Sequence, residues 1–182
     1  MPIKFNLRQY HFPGSVFIET GLWKCHGVEK ALHAGFERII SIEIAPNIFR
    51  AGRKRLAKHI SSGRVSLLLG NSAELMVTAL AIVPDSRIVF WLDGHYQGAG
   101  PRTASPLYAE LEAIGQHNRK DHTVLIDDRR LFSNPAWRVE ETRIRGTLLE
   151  LNSQYRFCYL RGHVKNDVLC AYVSRQEAEA RI

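Results

Sequence analysis

Apolar positions along the chain fall into short β-branched runs that alternate with amphipathic stretches of helical period. This pattern predicts repeated strand–helix units. Val16-Phe17-Ile18 predicts a first strand between Gly14 and Gly21. Gly27 to Ala34 predicts a helix that Gly35 stops, because glycine readily takes the left-handed conformation that ends helices. Arg38 to Ile44 predicts a second strand, and Pro46 suits the first turn of a helix running to about His59, before Ser61-Ser62-Gly63. Val65 to Leu69 predicts a third, buried strand. Asn71 and Glu74 then have capping-box spacing for a helix that ends before Pro84. Ile88 to Leu92 is a fourth strand, Pro106 opens a helix through about His117, and Thr123 to Ile126 is a fifth strand. Asn134-Pro135 has the form of a cap plus first-turn proline for a helix from Ala136 to about Leu151.

The ending breaks the alternation. Arg156 to Leu160 and Val168 to Val173 predict two strands joined by only RGHVKND, too short for a helical crossover, so the pair must be antiparallel. Nearly continuous apolar strands imply a mostly parallel sheet covered on both faces. The predicted fold is therefore α/β: a Rossmann-like three-layer sandwich with seven strands and a C-terminal antiparallel hairpin. No repeat, low-complexity segment or linker divides the 182 residues. A single domain over 1–182 is expected, with its core over about 14–175.

Composition narrows the class without fixing a partner. A hydrophobic content of 45% with 24% charge is that of a globular chain. No apolar run approaches the roughly 20 residues of a membrane-spanning helix, and MPIKFNLRQYHF lacks the apolar stretch of a secretory signal. Cys25, Cys158 and Cys170 have no metal-like spacing and are odd in number, so reduced thiols and a cytoplasmic location are expected. The net charge of +7 raises the question of a polyanionic partner. The excess is dispersed except at Arg50-Ala51-Gly52-Arg53-Lys54-Arg55 and Lys58, whose helical spacing also fits a solvated helix face.

In open α/β sheets ligands bind beyond the carboxyl ends of the strands, which directs attention to the loop after strand one, Glu19-Thr20-Gly21-Leu22-Trp23-Lys24-Cys25-His26-Gly27. It lacks both the G-x-G-x-x-G dinucleotide pattern and the P-loop pattern. Glu19 and nearby Asp93 suit a ligand carrying an ammonium and a sulfonium better than one carrying phosphates. Glu43, 22 positions after Gly21, ends strand two where a carboxylate can accept hydrogen bonds from ribose hydroxyls.

Over about residues 14–175 the chain resembles class I S-adenosylmethionine (SAM)-dependent methyltransferases. The E-T-G…G loop looks like their first motif, and Ser41-Ile42-Glu43 is similar to their ribose-binding acidic position. Gly70-Asn71-Ser72-Ala73-Glu74 resembles the motif beside the adenine, and Asp93 ends strand four as their fourth motif does. The resemblance implies a SAM-binding enzyme, with Glu19, Thr20, Gly21, Cys25, Gly27, Glu43, Asn71, Ser72 and Asp93 as cofactor residues. Cys25 stands at what is taken as the middle glycine position, and Asn71 where an aspartate is common.

Three acids end strands expected to be neighbours: Asp93 after strand four, Asp127 and Asp128 after strand five. Hard cations such as Mg²⁺ take oxygen ligands and lower the pKa of a coordinated hydroxyl. The W-L-D-G-H-Y and L-I-D-D segments resemble the metal-dependent O-methyltransferases of the catechol and, more closely, the macrocin type. That resemblance implies a metal on Asp93, Asp127 and Asp128, with Asp93 and His95 catalytic and His95 the general base. In the alternative reading, Asp127 and Asp128 pair with Arg129 and Arg130 or cap the following segment. None of the other seven histidines makes a metal pair. The long loop from Gly94 to Ser105 is either a substrate-contacting lid or a plain connection, with Tyr96 and Arg102 as candidate contacts.

Three functions stay open on these residues. The first is O-methylation of a small hydroxylated or sugar-like acceptor. The second is methylation of RNA or another polyanion, although Asp93-Gly94-His95-Tyr96 stands where amine-modifying nucleic-acid enzymes carry [DN]-P-P-[YFW]. The third is a non-catalytic methyltransferase-like binding module. With only about 15 residues before the first strand, either the acceptor pocket is open or a second subunit completes it. A homodimer is the expected state.

Overall fold

A computed structural model describes residues 3–94, 105–132, 134–135 and 137–174. Its centre is a seven-stranded sheet in the order β3-β2-β1-β4-β5-β7-β6. The strands are β1 (Val16–Thr20), β2 (Arg38–Glu43), β3 (Val65–Leu69), β4 (Ile88–Leu92), β5 (Thr123–Ile126), β6 (Arg156–Leu160) and β7 (Val168–Tyr172). The first five are parallel to one another, whereas β7 runs antiparallel to both β5 and β6. The helices are α1 (His26–Ala34), α2 (Pro46–Arg55), α3 (Ala57–Ser61), α4 (Ser72–Ala81), α5 (Leu107–Gln116) and α6 (Glu141–Leu151). This is the predicted three-layer architecture with its antiparallel C-terminal hairpin.

Side-chain alternation along the central strands builds two cores, one on each face of the sheet. Val16 and Ile18 join a cluster with Met76, Leu111 and Leu148 from α4, α5 and α6. Phe17 points the other way, into a cluster with Val28, Ala31 and Phe36. Each such side chain contributes roughly 1.5–3 kcal/mol by leaving water. Ile3 and Leu7 are also buried in this second cluster. No helix among the described residues is long and apolar enough to cross a membrane.

The elements depart from expectation in three places. β3 is an edge strand, partly exposed along its length, because topology, which its apolar composition does not encode, leaves it one neighbour. The helix expected from Pro46 to about His59 is broken at Leu56, whose side chain is buried. Leu56 lies four residues after buried Gly52, on the same face, and Arg53, Lys54, Arg55 and Lys58 stay outside. α6 starts at Glu141, not Ala136: Arg138 has φ +52°, which a right-handed helix does not admit.

Candidate functional site

The parallel strands bring their carboxyl ends to one rim, with Thr20 level with Ile42 and Leu92, and Leu92 level with Ile126. The chain leaves β1 toward β2 and β3 on one side, and β4 leads to β5 on the other. The crevice at this reversal is the usual ligand position in such sheets. Thr20, Gly21, Glu43, Ser72, Asp93 and Gly94 all lie at or just beyond strand ends on this rim.

The loop after β1 has left-handed backbone at every second residue: Gly21 (φ +87°), Trp23 (+42°) and Cys25 (+63°). The middle member of this set is Trp23 and the last is Cys25. Gly21 is required sterically, since a Cβ there would lie 2.5 Å from the Asp93 carbonyl oxygen. Cys25 precedes α1 with no side-chain cap, and its side chain is buried in the core beside Leu22 and Gly52. Burial, followed by the charge of Glu19, pushes its thiol up to about 11. Only the backbone of Cys25 is thus disposed as part of the loop. The Trp23 ring is half-exposed and meets His26 edge-on at 5.5 Å.

Glu19 supports this loop from below. Its side chain is fully buried, Ser41 Oγ donates to Oε1 at 2.7 Å, and a Cβ on Gly27 would fall 1.8 Å from Oε2. Desolvation raises its carboxyl to about 8, opposed by the Ser41 bond, with Asp93 adding to the rise. Glu19 is therefore largely neutral near pH 7 and fills the space under Gly27. It does not present the open negative charge expected from its place in the sequence, because that charge would be buried.

Glu43 faces the loop. It accepts the Trp23 N–H at 3.2 Å through Oε2 and the Ala45 N–H at 2.8 Å through Oε1. A carboxylate offers about four acceptor positions, so capacity remains for ligand hydroxyls. Across the crevice Asn71 caps α4, accepting from the Ala73 N–H at 3.1 Å, and its Nδ2 donates to Glu74 at 3.3 Å. Three polar atoms surround Gly94: a Cβ there would lie 2.9 Å from Thr20 Oγ1 and 3.0 Å from both Ser72 Oγ and Glu110 Oε1. Gly94 is thus closely enclosed by polar groups, and the position admits no side chain.

Beside it, between β4, β5 and α5, lies a small, partly open cleft with a cavity volume of about 10 Å³, room for about one water. Its walls include Leu92, Ile126, Phe132 and Trp137, and the carboxyls of Glu110 and Asp127. Asp127 is buried, and its Oδ1 has no hydrogen-bond partner among the described residues. Desolvation, then the charge of Asp93, raises this carboxyl to about 7.

The acids form a different group from the expected one. Among the described residues, the ligand atoms within 4.8 Å of one another belong to Asp127, Asp128 and Asp167. Asp93 is outside this group. Asp167 directly precedes β7, and because β7 is antiparallel to β5 its first residues return to the rim where β5 ends. Asp128 adopts φ +55° and pairs with Arg130, whose same nitrogen, Nη1, also bonds Asp167. Asp167 further accepts the N–H groups of Arg130 (3.2 Å), His163 (2.9 Å) and Val164 (3.4 Å). Three of its bonds fall on Oδ2 and one on Oδ1. Asp128 thus pairs with Arg130, as in the alternative reading. Arg129 instead bonds Glu141 at 2.7 Å.

His95, Tyr96 and Arg102 lie outside the described residues. Trp23, Glu110, Arg130 and Asp167 are the site residues that sequence reasoning did not select. Asp167 carried one usable signal, its place immediately before an antiparallel strand.

No protein-family model matches the sequence, and no curated protein matches it. Solved structures do match in fold. The O-methyltransferase TomG from Streptomyces achromogenes, in complex with SAM, has a TM-score of 0.60 at 16% identity, over 93% of this chain and 75% of that one. A protein from Clostridium thermocellum provisionally named an rRNA methylase has a TM-score of 0.58 at 12% identity, over 94% and 99% of the two chains. The SAH-bound Podospora anserina methyltransferase PaMTH1 has a TM-score of 0.55 at 16% identity, over 87% and 71%. At these identities the likeness is one of fold, the Rossmann-like fold of class I SAM-dependent methyltransferases.

Proposed function

We propose that this chain, built on the class I methyltransferase fold, is a SAM-dependent methyltransferase acting on an oxygen of a small hydroxylated or sugar-like acceptor. The observation that carries the reading is the left-handed loop after β1, tied to Glu43 at the rim and set beside a cleft that ends on Asp127. Glu43 would receive the ribose hydroxyls, Asn71 and Ser72 would flank the adenine, and Thr20, Asp93 and the backbone of Gly21, Cys25 and Gly27 would hold the amino-acid end. Glu19 keeps that backbone in place from beneath. SAM supplies an electrophilic methyl group on a sulfonium.

The chain's own part is to orient the acceptor and take its proton. Apolar Leu92, Ile126, Phe132 and Trp137 line part of the cleft, and an acceptor seated against them would meet its polar contacts in less polar surroundings. Asp127 offers an oxygen to the acceptor hydroxyl. His95, next in sequence to Gly94, serves as general base, with Asp93 close in sequence. A homodimer would close the open side of the cleft, and sedimentation would report it. Calorimetric titration with SAM tests the core of the reading: saturable binding is expected, and Glu43→Ala should weaken it at least about tenfold, or roughly 1.4 kcal/mol. No measurable heat of binding to the folded wild type would refute it.

A second reading, methylation of RNA or another polyanion, is favoured by the exposed cations Arg50, Arg53 and Lys54 on α2 and Lys58 on α3. Retention on RNA or heparin that survives about 0.2 M salt would select it, since purely electrostatic contacts weaken steeply there. SAM binding without transfer to any of a broad acceptor panel would select the non-catalytic module.

A further inference from the structure

Three buried acids crowd the rim after β5, an arrangement that ordinarily calls for a counter-cation. Asp127, Asp128 and Asp167 have ligand atoms within 4.8 Å of one another. The side chain of Asp167 is fully buried and that of Asp128 nearly so. Both direct a carboxylate oxygen onto one atom, Arg130 Nη1. The guanidinium comes from the turn that the acids themselves enclose: Arg129 N–H donates to the Asp167 carbonyl at 2.8 Å, and Arg130 N–H donates to Asp167 Oδ1 at 3.2 Å. The backbone thus delivers the cation to the cluster from two residues beyond Asp128. An arginine is permanently charged and less strongly hydrated than an ammonium, which suits it to partly buried ion pairs.

We propose that Arg130 is the resident cation of this acid cluster, taking the role a divalent ion would have, so that the site excludes metal. Asp128 and Asp167 are committed to the guanidinium. Asp127 alone of the three is left with an unpartnered oxygen, beside the acceptor cleft. Within this cluster that leaves one carboxylate, too few to hold Mg²⁺ or Mn²⁺ firmly without help from a ligand. The inference concerns cation binding by the protein alone and does not depend on which group is methylated.

The test is titration of Mn²⁺ into the chelator-treated full chain, followed by electron paramagnetic resonance, with thermal melting in parallel. Wild type is expected to take up no stoichiometric Mn²⁺ at millimolar concentration, and its melting temperature should not respond to Mg²⁺. Arg130→Gln removes the cation and leaves the acids, so it should melt lower, bind one Mn²⁺ per chain at least about tenfold more tightly than wild type, and recover its melting temperature in Mg²⁺. Arg130→Lys keeps the charge and should stay metal-free, which separates loss of charge from loss of shape. Stoichiometric Mn²⁺ binding by wild type would overturn the proposal, whatever the variants do. So would a folded Arg130→Gln that gains no affinity, because Arg130 would then not be what excludes the ion.

Discussion

Gly27→Ala is a substitution whose sign the site decides. Gly27 is the second residue of α1, and the helix-interior gain of about 1 kcal/mol for glycine-to-alanine is an upper bound there. Here the new Cβ would fall 1.8 Å from Glu19 Oε2. A carboxylate at the end of a flexible side chain could normally step aside, but this one is fully buried and held by Ser41 at 2.7 Å. Forcing it away costs about 2 kcal/mol for overpacking and about 1 kcal/mol for the weakened hydrogen bond. Less the helical gain, the net loss is about 2 kcal/mol. For a chain of 182 residues, that corresponds to a fall in Tm of about 5 °C. Urea unfolding and thermal melts measure it. In a Glu19→Ala background the obstacle is gone, so alanine at 27 should become neutral or stabilising, giving a coupling of about 3 kcal/mol between the two sites. If Gly27→Ala matches or exceeds wild-type stability with Glu19 intact, Glu19 does not stand against Gly27 and its role as the loop's support is wrong.

Other outcomes follow from buried titratable groups. Glu19 has an ordinary value of 4.5 and is raised to about 8 in the fold, so its contribution is complete below about pH 4.5 and is lost as pH rises through about 8. Relative to wild type, Glu19→Gln should therefore gain stability with rising pH, by at most about 1.4 kcal/mol per unit, and parallel urea curves from pH 5 to 8 would expose the error. His122 behaves oppositely: burial, then the charge of His117, lowers it from 6.5 to about 3. Stability is lost as pH falls below about 6.5, so His122→Gln should gain on wild type between pH 6.5 and 4 in the same measurement. Cys25, buried and raised to about 11, should resist a disulfide reagent at pH 8 until the chain is unfolded in urea. Glu141 accepts from Arg129, Arg145 and Tyr159 on the partly exposed face of β6, and Glu141→Ala should cost no more than about 1 kcal/mol by melting, since solvent screens such networks.

Much of the fold was legible because the alternation of apolar runs and the short RGHVKND link are local properties. Strand ends then followed, and with them the rim positions of Gly21, Glu43, Ser72 and Asp93. What failed depended on packing. Nothing near Leu56 signals the break between α2 and α3. Arg138 has no local reason to adopt φ +52°, and it delays α6 by five residues against the proline signal at Pro135. The acid cluster is similarly non-local. Asp127 and Asp128 were found because they end a strand, but Asp167 lies about 40 residues further on and arrives through the reversed direction of β7. Counting acids at parallel strand ends could not include it, and it placed Asp93 in a group from which the structure leaves it out.

Left-handed backbone at two residues other than glycine gives Glu43 a second duty. Trp23 and Cys25 each carry a cost of roughly 1–2 kcal/mol for their conformation. Cys25 offsets it by burying its side chain against Leu22 and α2. Trp23 is half-exposed and has no such burial. What holds it is the bond from its N–H to Glu43 Oε2, and a bond to a charged acceptor contributes roughly 1.5–3 kcal/mol, enough to balance the strain. Glu43 is fixed in turn by the Ala45 N–H, so the carboxylate ties the end of β2 to the loop after β1 before any ligand arrives. A loop that lacks glycine at these positions is thus kept in the shape that glycine would take freely. Loss of Glu43 should therefore weaken ligand binding twice over, through the missing acceptor and through a loop released from its strained form.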